Sequence, residues 1–277
     1  MIGGGSRIGT ALVPLLGDAA TYLSRRLTGH QKEIRTEDYG CPPKTAWNGV
    51  TSVINCVGIS KGSARDLKRV NVDIPCRLAA TAKSKGVRHF LQISSFSVYG
   101  NADRIDAETV TLPVGEYGRS KLNADMRLLE LADDRFSVTI LRLPLIYSRK
   151  SLGRLGQLLR LWTRLRVIPV PAGDVARAMI GVDLSAEVIA RLAIEPRNGI
   201  VFAADPRHFT YADTARTRRE TLHRLPLPRS IVKLATRVMP AICGRLFADS
   251  RLAEKDNQAI RYRLESTLYH DIASANI

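Results

Sequence analysis

Tyr117 and Lys121 stand four residues apart, and about twenty residues upstream runs the segment Ile93-Ser94-Ser95-Phe96-Ser97-Val98-Tyr99-Gly100. On a helix, residues four apart share a face, and a serine ending an upstream apolar strand can meet them across a cleft. A phenol, an ammonium and a hydroxyl so arranged form a proton-transfer site. A phenol with an ordinary pKa near 10 needs a neighbouring cation to exchange protons near neutrality. Ser95, Tyr117 and Lys121 are therefore the candidate catalytic residues. The Tyr-x-x-x-Lys spacing alone is common by chance, and it gains its weight from the serine in register.

A second chemical feature opens the chain, where Gly3-Gly4-Gly5-Ser6-Arg7-Ile8-Gly9 runs directly into a helical pattern. Glycines there let backbone amides approach a pyrophosphate, and a helix N-terminus favours its charge. Gly3, Ser6, Arg7, Ile8 and Gly9 are the expected contacts. About twenty residues on, where an acidic side chain would bind the ribose hydroxyls of NAD, stands Leu23-Ser24-Arg25-Arg26. Guanidinium groups suit a 2′-phosphate, so Ser24, Arg25 and Arg26 are expected to favour NADP(H) over NAD(H). Only Met1 and Ile2 precede the glycine loop, where a dinucleotide fold has its central first strand. The expectation is a missing or truncated first strand, from loss of an upstream segment.

These residues must be positioned by alternating elements. Short apolar runs at 20–23, 53–57, 90–93 and 138–141 read as strands, and 8–16, 70–85 and 117–131 as helices. The alternation predicts an α/β fold, a doubly wound parallel sheet covered on both faces. After Tyr147 the pattern changes: 152–165 is an amphipathic helix, Ile168-Pro169-Val170-Pro171-Ala172-Gly173 breaks it, a helix starts near Leu184, and 200–203 suits a strand. The expected division is a cofactor domain over 1–150 and 176–206, and a smaller, mostly helical substrate lobe over 151–175 and 207–277.

The 277 residues are 45% hydrophobic and 25% charged, enough for a full core. Cys41, Cys56, Cys76 and Cys243 are scattered, which reads as reduced thiols with no metal site, and no run is apolar enough to span a bilayer. A cytoplasmic protein is expected. The net charge of +16 is concentrated in part at Arg142, Arg149, Lys150, Arg154, Arg160, Arg164 and Arg166, a run without an acidic partner. Such a cluster suits a phosphate-bearing ligand or a surface, including peripheral membrane contact through the 152–166 helix. Nucleic acid is not the expected partner.

Taken jointly, the glycine loop, Asn55-Cys56-Val57-Gly58, Asn71-Val72-Asp73, Ser94 to Gly100 and Tyr117 to Lys121 resemble the extended short-chain dehydrogenase/reductase superfamily. The similarity is to its NAD(P)-dependent nucleotide-sugar epimerase/dehydratase/reductase branch. The resemblance implies a Rossmann-like fold, with Tyr117 as acid/base and Ser95 binding the reacting oxygen. It implies that Lys121 holds the nicotinamide ribose and lowers the tyrosine pKa. By the same resemblance Asp38, Cys56 and Gly58 line the cofactor, Ser97 and Arg177 meet a nucleotide-sugar substrate, and the protein is a homodimer. Phe96 and Ser97 stand where sugar dehydratases carry an Asp-Glu pair, which disfavours dehydration. Leu145 and Ser148-Arg149-Lys150 also depart from the family pattern. What remains is reduction of a 4-keto sugar or 4-epimerisation, in polysaccharide synthesis. The alternatives are an idle NADPH-binding or RNA-associated protein of the same fold, and a steroid or small-ketone dehydrogenase.

Overall fold

The computed structural model describes residues 1–27, 29, 30, 32–148, 153–173, 175–218, 222–238 and 249–274. Arg149, Lys150, Leu152, Asp174 and Cys243 lie outside the described residues. The chain divides into two units, one of Met1–Gly100, Val110–Pro144 and Val182–Ala203, the other of Asn101–Thr109, Leu145–Gly181 and Ala204–Ile277.

In the first unit, α1 (Arg7–Leu16) follows the glycine loop and leads to β1 (Tyr22–Ser24), β2 (Glu33–Arg35) and β3 (Ser52–Asn55). Next come α2 (Ala64–Lys68), α3 (Ile74–Ser84), β4 (His89–Ser95), α4 (Glu116–Leu129) and β6 (Ser137–Leu143), then α6 (Val182–Ile194) and β11 (Gly199–Phe202), with β5 (Arg104–Ile105) set apart in the second unit. Every ladder of this sheet is parallel. Its order is β11-β6-β4-β3, and β1 pairs with β2. Ile2 joins the two parts, bridging in parallel to Leu23 on one side and Asn55 on the other. The bonds are Ile2 N–H to Ile54 O at 2.8 Å, Cys56 N–H to Ile2 O at 3.0 Å and Leu23 N–H to Met1 O at 2.9 Å. The expected central strand is thus present as a two-residue stub. Around it the sheet has the doubly wound, Rossmann-like order, whose ligand crevice lies where strand order reverses, beside the stub and β3.

β4 and β6 are apolar on both faces because helices cover both. Phe90, Val138 and Ile140 pack with Leu78, Ala82 and Leu128 in one core cluster. Two polar rows cross it, each satisfied internally as burial requires. Asn55 Nδ2 donates to Gln92 Oε1 (2.8 Å), and the His89 ring bridges the Ser52 and Thr139 hydroxyls at 2.8 Å each. The expected 70–85 helix begins earlier, at the Ser63 cap, and takes one π turn at Arg69–Asp73. Pro75 explains the widening, since it has no N–H to give the carbonyl at position 71.

The second unit is richer in strands than its sequence suggests. β7 (Leu145–Tyr147) pairs with β10 (Met179–Gly181), and β9 (Ala176–Arg177) with β12 (Phe209–Thr210). β8 (Val167–Pro171) pairs in parallel with β13 (His223–Leu227), and β5 with β14 (Arg251–Leu252). The proline segment that reads as a break is therefore β8. Prolines are tolerated because a two-stranded ladder consists of edges, where a missing N–H costs little. Between these strands lie α5 (Gly153–Leu165), α7 (Tyr211–Thr217), α8 (Arg229–Val238), α9 (Gln258–Arg261) and α10 (Leu268–Ser274). Leu159 and Trp162 commit the apolar face of α5 to a core with Tyr147, Ile168, Phe209 and Tyr211, which removes those residues from the membrane contact expected of that helix. Among the described residues no helix is long and apolar enough to cross a membrane.

Burial pushes His89 down from 6.5 to about 4. The unfolded chain therefore binds more protons between these values, and stability falls as pH drops from about 6.5 toward about 4. Thermal melts across that window should show the decline, with a visibly flatter slope for His89→Asn. Parallel slopes would show that His89 is not the group responsible.

Candidate active site

β4 delivers Ser95 to the end of the sheet, where a single 3-10 turn, Phe96–Tyr99, follows. The Ser95 hydroxyl accepts from the Ser97 amide (3.2 Å) and donates to the Ser97 hydroxyl (3.1 Å). α4 can sit down on this turn only because residue 118 is glycine, since a Cβ there would run into the Ser97 carbonyl oxygen. That close approach brings Tyr117 to Ser95. The phenol is raised above its ordinary pKa, first by burial, while its hydrogen bond with Ser95 pulls the other way.

Tyr117, Lys121 and Asp125 recur every four residues, so α4 aims all three at the sheet. Lys121 Nζ donates to the Ile93 carbonyl at 2.9 Å, and burial lowers the amine to about 8 against the opposing charge of Asp125. Desolvation dominates both groups, so Tyr117 moves up even though Lys121 is expected to lower it. Asp125 in turn receives Arg142 Nε at 3.0 Å and the Ser94 hydroxyl at 2.9 Å. Burial raises this carboxyl, with Arg142 foremost in opposing the rise. Arg142 also donates to the Tyr99 hydroxyl at 2.6 Å and stacks over that ring at 5.1 Å. The side chains of this pair are 4% and 1% exposed. Arg142 therefore does not belong to the unpartnered basic cluster in which the sequence places it: its acid lies on a helix, 17 positions earlier.

Gly58 and Asn71 close the other side of Lys121. A Cβ at Gly58 would lie 3.2 Å from Lys121 Nζ and 3.4 Å from Asn71 Oδ1. Asn71 sits on the π turn, accepts from Ile59 N–H (2.9 Å), and donates to Ile59 O (2.9 Å) and to the Ser120 hydroxyl (3.0 Å). It fixes the Gly58 loop against α4. Asn71, Ser94, Asp125 and Arg142 are positioning residues that the sequence reading did not assign. The available signal was the second four-residue step, from Lys121 to Asp125, on the face that Tyr117 begins.

The glycine loop is drawn in as tightly. A Cβ at Gly9 would strike the Gly3 carbonyl oxygen, and Gly3 adopts φ +84 beside Cys56 and Val57. Ser6 caps α1 by accepting from Gly9 N–H at 3.0 Å, which leaves the first-turn amides of Arg7 and Ile8 with no intrahelical acceptor. Arg7 is exposed, whereas the Ile8 side chain is in the core and only its amide can serve a ligand. A Cβ at Gly4 would sit 2.9 Å from the buried Ser24 Oγ, so β1 ends against the loop. Arg25 and Arg26 follow, exposed, the Arg25 amide donating to the Tyr39 hydroxyl (3.1 Å) and its guanidinium lying over that ring at 5.9 Å. Asp38 is exposed and engaged by Arg77 (3.4 Å) and the Gly40 amide (2.8 Å). Burial pushes the Cys56 thiol up to about 12, so it is a neutral wall. A cradle that any Cβ would fill, ending at a helix N-terminus, fits the pyrophosphate of a dinucleotide.

Arg177 belongs to the second unit, on β9. Burial lowers its pKa, Tyr211 stands beside it, and no carboxylate pairs with it among the described residues.

The sequence model of the NAD dependent epimerase/dehydratase family matches residues 3–198. The chain belongs to that family. Among curated epimerase/dehydratase relatives, it is 26% identical over 220 residues to a UDP-glucose 4-epimerase from Vibrio cholerae, covering 74% of this chain and 62% of that protein. It is 24% identical over 172 residues to a dTDP-4-keto-6-deoxy-D-glucose reductase from Streptomyces niveus, covering 60% and 59%. The chain thus matches about three fifths of the length of these curated relatives. Among solved structures, the UDP-glucuronic acid 4-epimerase from Bacillus cereus in complex with NAD has TM-score 0.73 at 14% identity, covering 99% of this chain and 95% of that one. RMD from Pseudomonas aeruginosa complexed with NADPH has TM-score 0.69 at 17% identity, covering 99% and 96%. Both show the same fold.

In this family member, Arg142→Met strands the Asp125 carboxylate in the core and should cost about 3–5 kcal/mol in urea unfolding. The double change Arg142→Met with Asp125→Leu should recover most of it. A loss under about 1 kcal/mol for the single variant would mean that solvent reaches the pair.

Proposed function

We propose that the protein is an NAD(P)-dependent oxidoreductase or epimerase acting on a nucleoside-diphosphate sugar, by 4-keto reduction or 4-epimerisation. The observation that carries this reading is the placement of the Tyr117 phenol against Ser95, with the Lys121 amine buried one turn further along the same helix face. A bound nicotinamide would supply or accept a hydride at the carbinol carbon. Ser95 holds the substrate oxygen, and Tyr117 gives its phenolic proton to that oxygen in reduction or removes it in oxidation. The raised phenol pKa suits the reductive direction, in which Tyr117 gives its proton. Lys121 and Gly58 hold the ribose side, and the amides of Arg7 and Ile8 meet the pyrophosphate.

NADP(H) is favoured over NAD(H) because exposed Arg25 and Arg26 end β1, with Arg25 braced by Tyr39, and Asp38 is tied to Arg77. The relatives' names support a nucleotide-sugar substrate. Arg177, half-buried and without a carboxylate partner among the described residues, is the bidentate group for its diphosphate. Phe96 lies in the core and Ser97 carries no carboxylate, so the site lacks the acid–base pair of a dehydratase. A groove of about 360 Å³ on the outer face of α4, lined by Arg119, Leu122, Met126 and Arg127, suits the expected homodimer.

The test joins fluorescence titration with NADPH and NADH to turnover on UDP- and dTDP-linked 4-keto and 4-hydroxy sugars. Tyr117→Phe should lower kcat by about 10²–10⁴ with cofactor affinity unchanged. Arg25→Ala should weaken NADPH about tenfold and spare NADH. Failure to bind either nucleotide would refute the enzymatic reading, and tighter binding of NADH than NADPH would refute the cofactor preference.

A further inference from the structure

α8 is unlike the other amphipathic helix of its unit. α5 spends Leu159 and Trp162 on the core, but α8 leaves Ile231, Leu234 and Val238 exposed at 51%, 63% and 68%. These three are spaced i, i+3 and i+7, so they form one apolar stripe. Leu225 of β13, just upstream, is 50% exposed. Half-buried Val232 lies off the stripe.

The charges in this stretch of the sequence are of one sign. From Leu222 to Ala248 the sequence contains no Asp or Glu and carries Arg224, Arg229, Lys233, Arg237 and Arg245. Arg229, Lys233 and Arg237 recur every four positions, which by helical spacing falls opposite the apolar stripe. The whole chain carries +16. A short helix with an apolar stripe, a basic opposite face and no acidic residue has the design of one that lies in the plane of a bilayer interface. Its apolar side chains enter the acyl boundary, and its lysine and arginine heads reach back to anionic headgroups. Nucleic acid would satisfy the charge and leave the stripe in water. A neutral protein groove would satisfy the stripe and leave the charge unused.

We propose that α8 docks the protein on an anionic lipid surface, with Ile231, Leu234 and Val238 inserted and the surrounding basic residues facing headgroup phosphates. α8 belongs to the second unit and carries none of the proton-transfer residues, so the proposal concerns where the protein works and not the step it performs.

The experiment is co-sedimentation of the full chain with vesicles of phosphatidylcholine alone and of phosphatidylcholine with a third phosphatidylglycerol. The wild-type protein should pellet with the anionic vesicles, release on raising salt, and stay in the supernatant with the neutral ones. Leu234→Ser with Val238→Ser should weaken binding tenfold or more, about the worth of two inserted side chains, and Arg237→Glu with Lys233→Glu by a similar factor. NADPH binding should stay at the wild-type level in both double variants, which separates lost docking from lost folding. Equal sedimentation of wild type and Leu234→Ser/Val238→Ser would overturn the proposal. So would a wild-type protein that ignores anionic vesicles and self-associates in gel filtration through the same residues, which would make the stripe an interface between copies.

Discussion

The buried ion pair between Arg142 and Asp125 is the constraint on which the site depends. Each charge would be prohibitively costly alone at that depth, so each dictates where the other's element must lie. Through the pair, β6 fixes the rotation of α4. Through Ser94 the same carboxylate fixes α4 to β4, and through Tyr99 the same guanidinium fixes the turn after Ser95. Tyr117 and Lys121 inherit their aim from Asp125, because they stand on its helical face. Such a pair adds little net stability over apolar residues of equal volume. What it contributes here is register among three elements that meet at one point.

Absent side chains supply the complementary constraint. Gly118 lets α4 settle on the Ser97 carbonyl, Gly9 lets α1 start against the Gly3 carbonyl, and Gly58 leaves room for the Lys121 amine. At each point a backbone or a charged head occupies the volume a Cβ would need. The site is therefore assembled by close approach between elements of one unit, and the polar network holds those approaches in place.

Much of this was legible in the sequence. The strands were visible because a sheet buried on both faces needs continuous apolar runs, and Ser95, Tyr117 and Lys121 because helix and strand periods bring them to one place. Arg142 was misread because charge patterning sees only near neighbours, and its partner is 17 residues away. β8 was misread because proline is normally a stop, and a ladder made of edges suspends that rule. The π turn is not written in any local pattern; it arises from Pro75 together with the demand that Asn71 reach Ile59. The stub at Ile2 could be seen as a shortage of strand, but not that backbone bonds on both sides would still close the sheet around it.

The π turn sets stability against function within a single helix. Pro75 has no N–H to return to the Asn71 carbonyl, the Ile74 N–H reaches back five residues to Arg69, and the widened turn presents the Asn71 side chain to the Gly58 loop. Restoring the donor would favour the regular helix and rotate Asn71 off its partners. Selection for thermal robustness alone would erode this position, whereas selection for turnover would keep the defect.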